Sequence, residues 1–207
     1  MDDNSLAIRK TEAFVKEYMD KYDCSHDWFH VQRVVRQALA LAKAVSLTRP
    51  TDMLVVHLAA LLHDIDDAKY VQESDERFNC NGFLTGAGVD PERAVLVCKI
   101  IDSVSFRKEL LLMEHDKQGL GSAEERQWRQ ECTELACVQD ADRLDAIGAF
   151  GVLRCAAFSG ARNRPLHDPA SDSAVCGEIT YEQYAAKSNG ASGSAVAHFH
   201  GMSIAAI

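Results

Sequence analysis

The sequence predicts an all-α fold. Apolar residues recur at i, i+3, i+4 and i+7 along several segments, and one internal segment is apolar around nearly its whole circumference. No segment alternates with period two over several strands, and no internal repeat is present.

The helices follow in order. From residue 8 to about 22 the pattern is helical, with Ile8, Val15 and Met19 as the inner face. A second helix is expected over residues 27–45, where Val31, Val34, Val35, Ala38, Ala42 and Val45 form the apolar stripe. His26 and His30, four apart in "SHDWFHVQRV", are expected to share one face of it. His30 falls at the stripe's edge, half-buried, with Arg33 beside it. "RPTDMLVVHLAALLHDIDD" then opens on Pro50, Thr51 and Asp52, a strong helix start. Its all-round apolarity marks a central helix, ending in His63 and Asp64. Charged and imidazole groups at the end of a buried helix need partners.

Residues 66–90 read as a loop with one short helix. "PERAVLVCKIIDSV" (91–104) begins with Pro91 and is a fourth helix. The polar stretch 107–131 reads as an exposed excursion with a helical second half. "DADRLDAIGAFGVLRCAAF" (140–158) reads as a fifth main helix, opened by Asp142. Asp140 and Asp145 are then start-of-helix carboxylates favoured by the dipole, or Asp145 orients a neighbouring ligand. After Phe158 the chain turns loop-like, with a short final segment.

Composition narrows the function. With 207 residues, 47% hydrophobic and 26% charged, the chain fits one domain with a real core. A net charge of −9 argues against binding a nucleic-acid duplex, which needs a basic footprint. A small anionic substrate remains compatible, because a metal and a few local cations offset the background. The acidic start "MDDNSLAIRK" lacks the apolar run of a signal peptide, and no apolar segment reaches the ~20 residues that span a bilayer. Seven cysteines without a CxxC pair fit reduced thiols. The expectation is a cytoplasmic protein with no membrane partner; its oligomeric state is open.

Three patches distant in sequence invite combination: His30, the His63 and Asp64 doublet, and Asp142. Two imidazoles and two carboxylates suit one divalent ion among Mn2+, Mg2+, Co2+, Fe2+ and Zn2+. Four protein ligands leave an octahedral ion open positions for water and a substrate oxygen. A zinc-protease reading of His26 and His30 is disfavoured, since the glutamate that would act as base is replaced by Asp27.

"HDWFHVQRV", "AALLHDIDDAKY" and "VQDADRLDAIGAFGVLR" together resemble the HD-domain metal-dependent phosphohydrolase superfamily, whose pattern is H…HD…D. The resemblance is closest to small HD proteins related to nucleotide pyrophosphohydrolases, and it runs from about residue 26 to 169. It implies a single HD-domain helical bundle over 1–207, with the core at about 22–169 and the metal site between central helices. "HFHGMSIAAI" matches the start of an "HFHEKL"-like element and then departs, so 170–207 is expected to be a divergent, shortened segment.

The resemblance implies His30, His63, Asp64 and Asp142 as the metal ligands. It implies Asp67, four residues after His63, as the acidic catalytic residue that positions water or protonates the leaving oxygen. Lys69 is placed to hold a phosphate and share in catalysis, and Arg33 is a second candidate phosphate ligand. His26 faces the substrate phosphates or joins a second metal site; the phosphate role is favoured because no motif supplies further ligands. The residues alone support hydrolysis of a phosphate ester or anhydride. The resemblance favours a nucleoside triphosphate pyrophosphohydrolase; the alternatives are a nucleoside monophosphate phosphatase or a non-catalytic metal- and nucleotide-binding module.

Overall fold

A computed structural model describes residues 3–65, 77–169 and 193–205. Among them the structure is all helical and contains no strand. The helices are α1 (Asp3–Met19), α2 (Trp28–Val45), α3 (Met53–Leu62), α4 (Cys80–Gly86), α5 (Pro91–Val104), α6 (Phe106–Lys117), α7 (Ala123–Glu131), α8 (Thr133–Asp145), α9 (Gly148–Ala161) and α10 (Ala195–Ala205).

α3 lies at the centre, as its all-round apolarity requires. Leu54, Val55, Val56 and the run from Leu58 to Leu62 are all buried, and α1, α2, α5 and α8 pack around them. α2 lies between α3 and α8, burying Val31, Val34, Ala38 and Ala42 on the expected stripe. α1 turns Ala7, Thr11, Val15 and Met19 inward at a spacing of four, with Ile8 packed beside them. Fully burying one Leu or Val contributes roughly 1.5–3 kcal/mol, so this cluster dominates the stabilisation.

The starts are set by side-chain caps. Asp52 accepts hydrogen bonds from the backbone N–H groups of Leu54 and Val55 at 3.0 and 3.3 Å. Asp90 does the same for Glu92 and Arg93, with Pro91 in the first turn. Each such cap is worth about 1 kcal/mol.

Three expectations need correction. First, α2 begins at Trp28, because the Asp27 side chain accepts from the His30 N–H at 2.8 Å and caps the helix. His26 therefore precedes the helix rather than sharing its face. Second, both halves of the polar excursion are helical. Ser105 caps α6 and Ser122 caps α7, while Gly119, at φ 72°, makes the turn between them. Neither helix buries a residue fully, which is why no apolar stripe announced the first.

Third, the expected helix over 140–158 is two helices, α8 and α9, meeting at a bend of 73°. Gly148, at φ 68°, adopts the left-handed conformation that glycine accepts without penalty. Asp142 and Asp145 consequently stand in the last turn of α8 rather than at the start of a helix. There the dipole is unfavourable to a carboxylate, so both need positive charge from elsewhere in the fold. Among the described residues no single helix is long and apolar enough to cross a membrane.

Candidate metal centre

His30 is fully buried on α2, deeper than its place on the helical wheel predicts. Its Nδ1–H donates to Asp145 Oδ2 at 2.8 Å. His63 caps the C-terminus of α3, and its Nδ1–H donates to the Ala60 carbonyl at 2.8 Å, within its own last turn. Both acceptors lack a proton to give, so each bond fixes the tautomer and leaves the Nε2 lone pair pointing outward.

Those two lone pairs converge. The Nε2 atoms of His30 and His63 lie 3.2 Å apart. Asp64 Oδ2 lies 3.3 Å from the first and 3.5 Å from the second. Asp142 Oδ1 lies 3.6 and 3.7 Å from the same two nitrogens. The structure thus gathers four groups from α2, the end of α3 and the end of α8. His30, His63 and Asp142 offer ligand atoms that all lie within 4.8 Å of one another.

The donor set fits a divalent cation. With both imidazoles neutral, the two ring lone pairs face each other and each has a carboxylate oxygen of Asp64 and of Asp142 beside it. Asp64 Oδ2 is buried and has no hydrogen-bond partner, a cost that a cation bound at the centre would remove. The titration behaviour has the same origin. Burial and the nearby Arg154 push His30 down, yet the hydrogen bond to Asp145 and the adjacent Asp64 carboxylate leave its pKa raised. Burial pushes the Asp64 carboxyl up, but the His63 and His30 imidazoles outweigh it and hold it well below the usual range. Both shifts express one demand for positive charge at this point.

Behind the quartet lies a second layer centred on Asp145. Arg33 embraces its carboxylate with two bonds, Nε to Oδ1 at 2.6 Å and Nη2 to Oδ2 at 2.9 Å. Arg154 of α9 donates from Nη1 to Oδ2 at 3.0 Å and from Nε to the Ser25 carbonyl at 2.7 Å. Burial would raise the Asp145 carboxyl, but His30 and Arg33 hold it far below the usual range. Asp145 is therefore an anion that orients His30, the second of the two roles open to it in the sequence. The guanidinium of Arg33 also lies 4.6 Å from the centre of the Phe150 ring.

His26 sits in the turn before α2, its ring 6.0 Å from that of His30 and its Nδ1 2.8 Å from Ser25 Oγ. It borders the centre without being among the converging ligands. Asp67 and Lys69 lie outside the described residues. Arg154 was missed by motif reasoning; the one available signal was a lone cation inside the apolar run "AIGAFGVLRCAAF".

The HD domain family model matches residues 28–147. YpgQ of Bacillus subtilis (strain 168) is 33% identical over 162 residues, which cover 75% of this chain and 67% of that protein. A crystal structure of YpgQ in complex with ADP superposes with a TM-score of 0.57 at 26% identity, covering 86% of this chain and 76% of that one. A Lactobacillus plantarum protein of known structure gives a TM-score of 0.68 at 28% identity, over 93% and 78% of the two chains. A Bacillus thuringiensis HD-superfamily hydrolase gives 0.53 at 26% identity, over 97% and 93%.

Proposed function

The chain belongs to the HD-domain family, and from that membership we propose that it is a metal-dependent phosphohydrolase that cleaves nucleoside triphosphates to the monophosphate and pyrophosphate. The observation that carries the hydrolase reading is the convergence of His30, His63 and Asp142 beside the buried, unpartnered Asp64 Oδ2. Nucleotide as the substrate class is supported by the similarity to YpgQ, which has been crystallised with ADP.

His30, His63, Asp64 and Asp142 are the ligands in this reading. A divalent cation held by them supplies Lewis acidity toward a phosphoryl oxygen and lowers the pKa of water. Asp145, pinned by Arg33 and Arg154, keeps the His30 ring turned toward that ion. Asp142 is the most exposed of the four ligands, its side chain about one-third accessible, and marks the side from which substrate approaches. Asp67 positions the attacking water or protonates the leaving oxygen, and Lys69 offsets charge on the phosphoryl group. His26, one ring away from His30, donates to a phosphate oxygen. Arg33 contributes through Asp145 and by its positive charge.

The test is a panel of nucleoside tri-, di- and monophosphates and a generic phosphate monoester, each assayed with several divalent metals and read by product identification. Pyrophosphate and monophosphate from triphosphates are expected. Orthophosphate alone, released from monophosphates, would overturn the triphosphate reading. Metal retention without any product would overturn the enzyme reading.

A further inference from the structure

Two phenyl rings stand largely in water at the edge of the metal centre, Phe29 at 65% exposed and Phe150 at 57%. Single exposed apolar residues are ordinary, but these two are tied to the ligands. Phe29 directly precedes His30 in the first turn of α2, and Arg33, one turn further on, shares its face of the helix. The Arg33 guanidinium lies over the Phe150 ring, 4.6 Å from its centre. The same guanidinium grips Asp145, and Asp145 orients His30.

Phe150 is held in place from both sides. Arg33 commits Nε and Nη2 to Asp145, at 2.6 and 2.9 Å. Those two bonds fix the guanidinium plane and leave its flat face for the ring. The backbone sets the position of the ring itself. Gly148, at φ 68°, bends the chain from α8 into α9, and the Gly151 N–H donates to the Ile147 carbonyl at 3.3 Å. A side chain at Gly151 would run into the Ala146 carbonyl, so glycine lets this turn close tightly on the end of α8. Phe150 lies within that turn.

Arg33 covers one face of the ring. Among the described residues no second ring or cation lies on Phe150, and more than half of the residue meets solvent. A rigid aromatic face beside a centre that takes phosphates suits the flat heterocycle at the other end of the same nucleotide. Stacking covers both π-faces and leaves the polar edges of the base in water.

We infer that Phe150, backed by Arg33 and with Phe29 on the adjoining face of α2, is the stacking platform for the nucleobase of the substrate. The inference rests on the phosphohydrolase reading for its choice of a nucleotide. A phenyl ring has no hydrogen-bonding group, and two donors of Arg33 are spent on Asp145. The platform therefore holds a base by its face and reads none of its edges. It distinguishes a nucleotide from a bare polyphosphate, and it separates one base from another only by stacking strength.

The test measures binding rather than turnover. The α,β-methylene analogue of ATP, which resists cleavage between those two phosphates, and inorganic tripolyphosphate are titrated calorimetrically into the metal-loaded full chain. The unaltered chain is expected to prefer the nucleotide by ~10-fold, within the range for one base stacked on an aromatic side chain. Phe150→Ala and Phe150→Leu are both expected to bring the two affinities to parity with metal content unchanged, whereas Phe150→Tyr keeps the preference. Equal affinities in the unaltered chain overturn the inference, as does a preference that survives in Phe150→Ala. A preference retained in Phe150→Leu also overturns it, because apolar contact rather than stacking would then hold the base. Nucleotide bound with this preference but never hydrolysed would count against the proposed function and leave the platform standing.

Discussion

Asp145 accepts the Nδ1 proton of His30 at 2.8 Å across 115 residues of sequence, and it does so from the last turn of α8, where the helix dipole disfavours a carboxylate. Arg33 and Arg154 offset that cost. Asp145→Asn keeps the shape and removes the charge. Metal affinity is expected to fall ~10–100-fold, the range for losing a group that orients a ligand, with helical content retained. A metal titration followed beside far-UV circular dichroism checks it, and unchanged affinity would remove Asp145 from the site.

Asp64→Ala is expected to abolish metal retention and hydrolysis together while the helices persist. Its Oδ2 is an unpartnered atom facing two imidazoles, not a packing element. Metal analysis of the purified variant decides the point: stoichiometric metal with normal activity would refute its assignment as a ligand.

Asp67→Asn is expected to keep the metal and lose at least ~100-fold in kcat, within the usual span for a general acid or base. Asparagine preserves the shape and cannot carry the proton. Loss of metal in proportion to rate would make Asp67 a ligand instead.

His26→Ala is expected to raise KM or lower kcat for nucleotides with one metal per chain remaining, since the ring borders the converging atoms without joining them. His30→Ala should empty the site. Two metals in the unaltered chain and one in His26→Ala would assign His26 to a second metal instead.

His57, on α3, gives a pH dependence remote from these chemical steps. Burial lowers its pKa below the usual value, against a smaller opposing pull from Glu12. A lowered folded pKa means that the unfolded chain takes up the proton first as pH falls. The stability that neutral His57 contributes is therefore complete above its ordinary pKa of about 6.5 and is lost as pH falls through the folded value. One such proton sets a slope of at most about 1.4 kcal/mol per pH unit. Urea unfolding between neutral and mildly acidic pH should show a shallower decline in His57→Gln than in the unaltered chain. Parallel curves would contradict the assignment.

Much of this protein was legible in its amino-acid order because the relevant physics is local. Asp52, Asp90 and Pro91 mark helix starts by supplying or sparing backbone hydrogen bonds within three residues. The apolar circumference of α3 required burial on every side, and that placed His63 and Asp64 at the end of a central helix. The four candidate ligands came from motifs. What the order of residues did not contain was how charge is balanced across the fold. Asp142 and Asp145 read as the opening of a helix because nothing in "DADRLDAIGAF" announces the 73° bend; a single left-handed glycine does it. That bend brings Arg154 back to Asp145 and to the Ser25 carbonyl. Asp27 similarly cut α2 short and left His26 in a turn. Local hydrogen bonds and periodicity decide where helices form. The pairing of a buried carboxylate with two arginines and an imidazole is decided only when distant segments leave water together, because only there does an unpaired charge become too costly to leave alone.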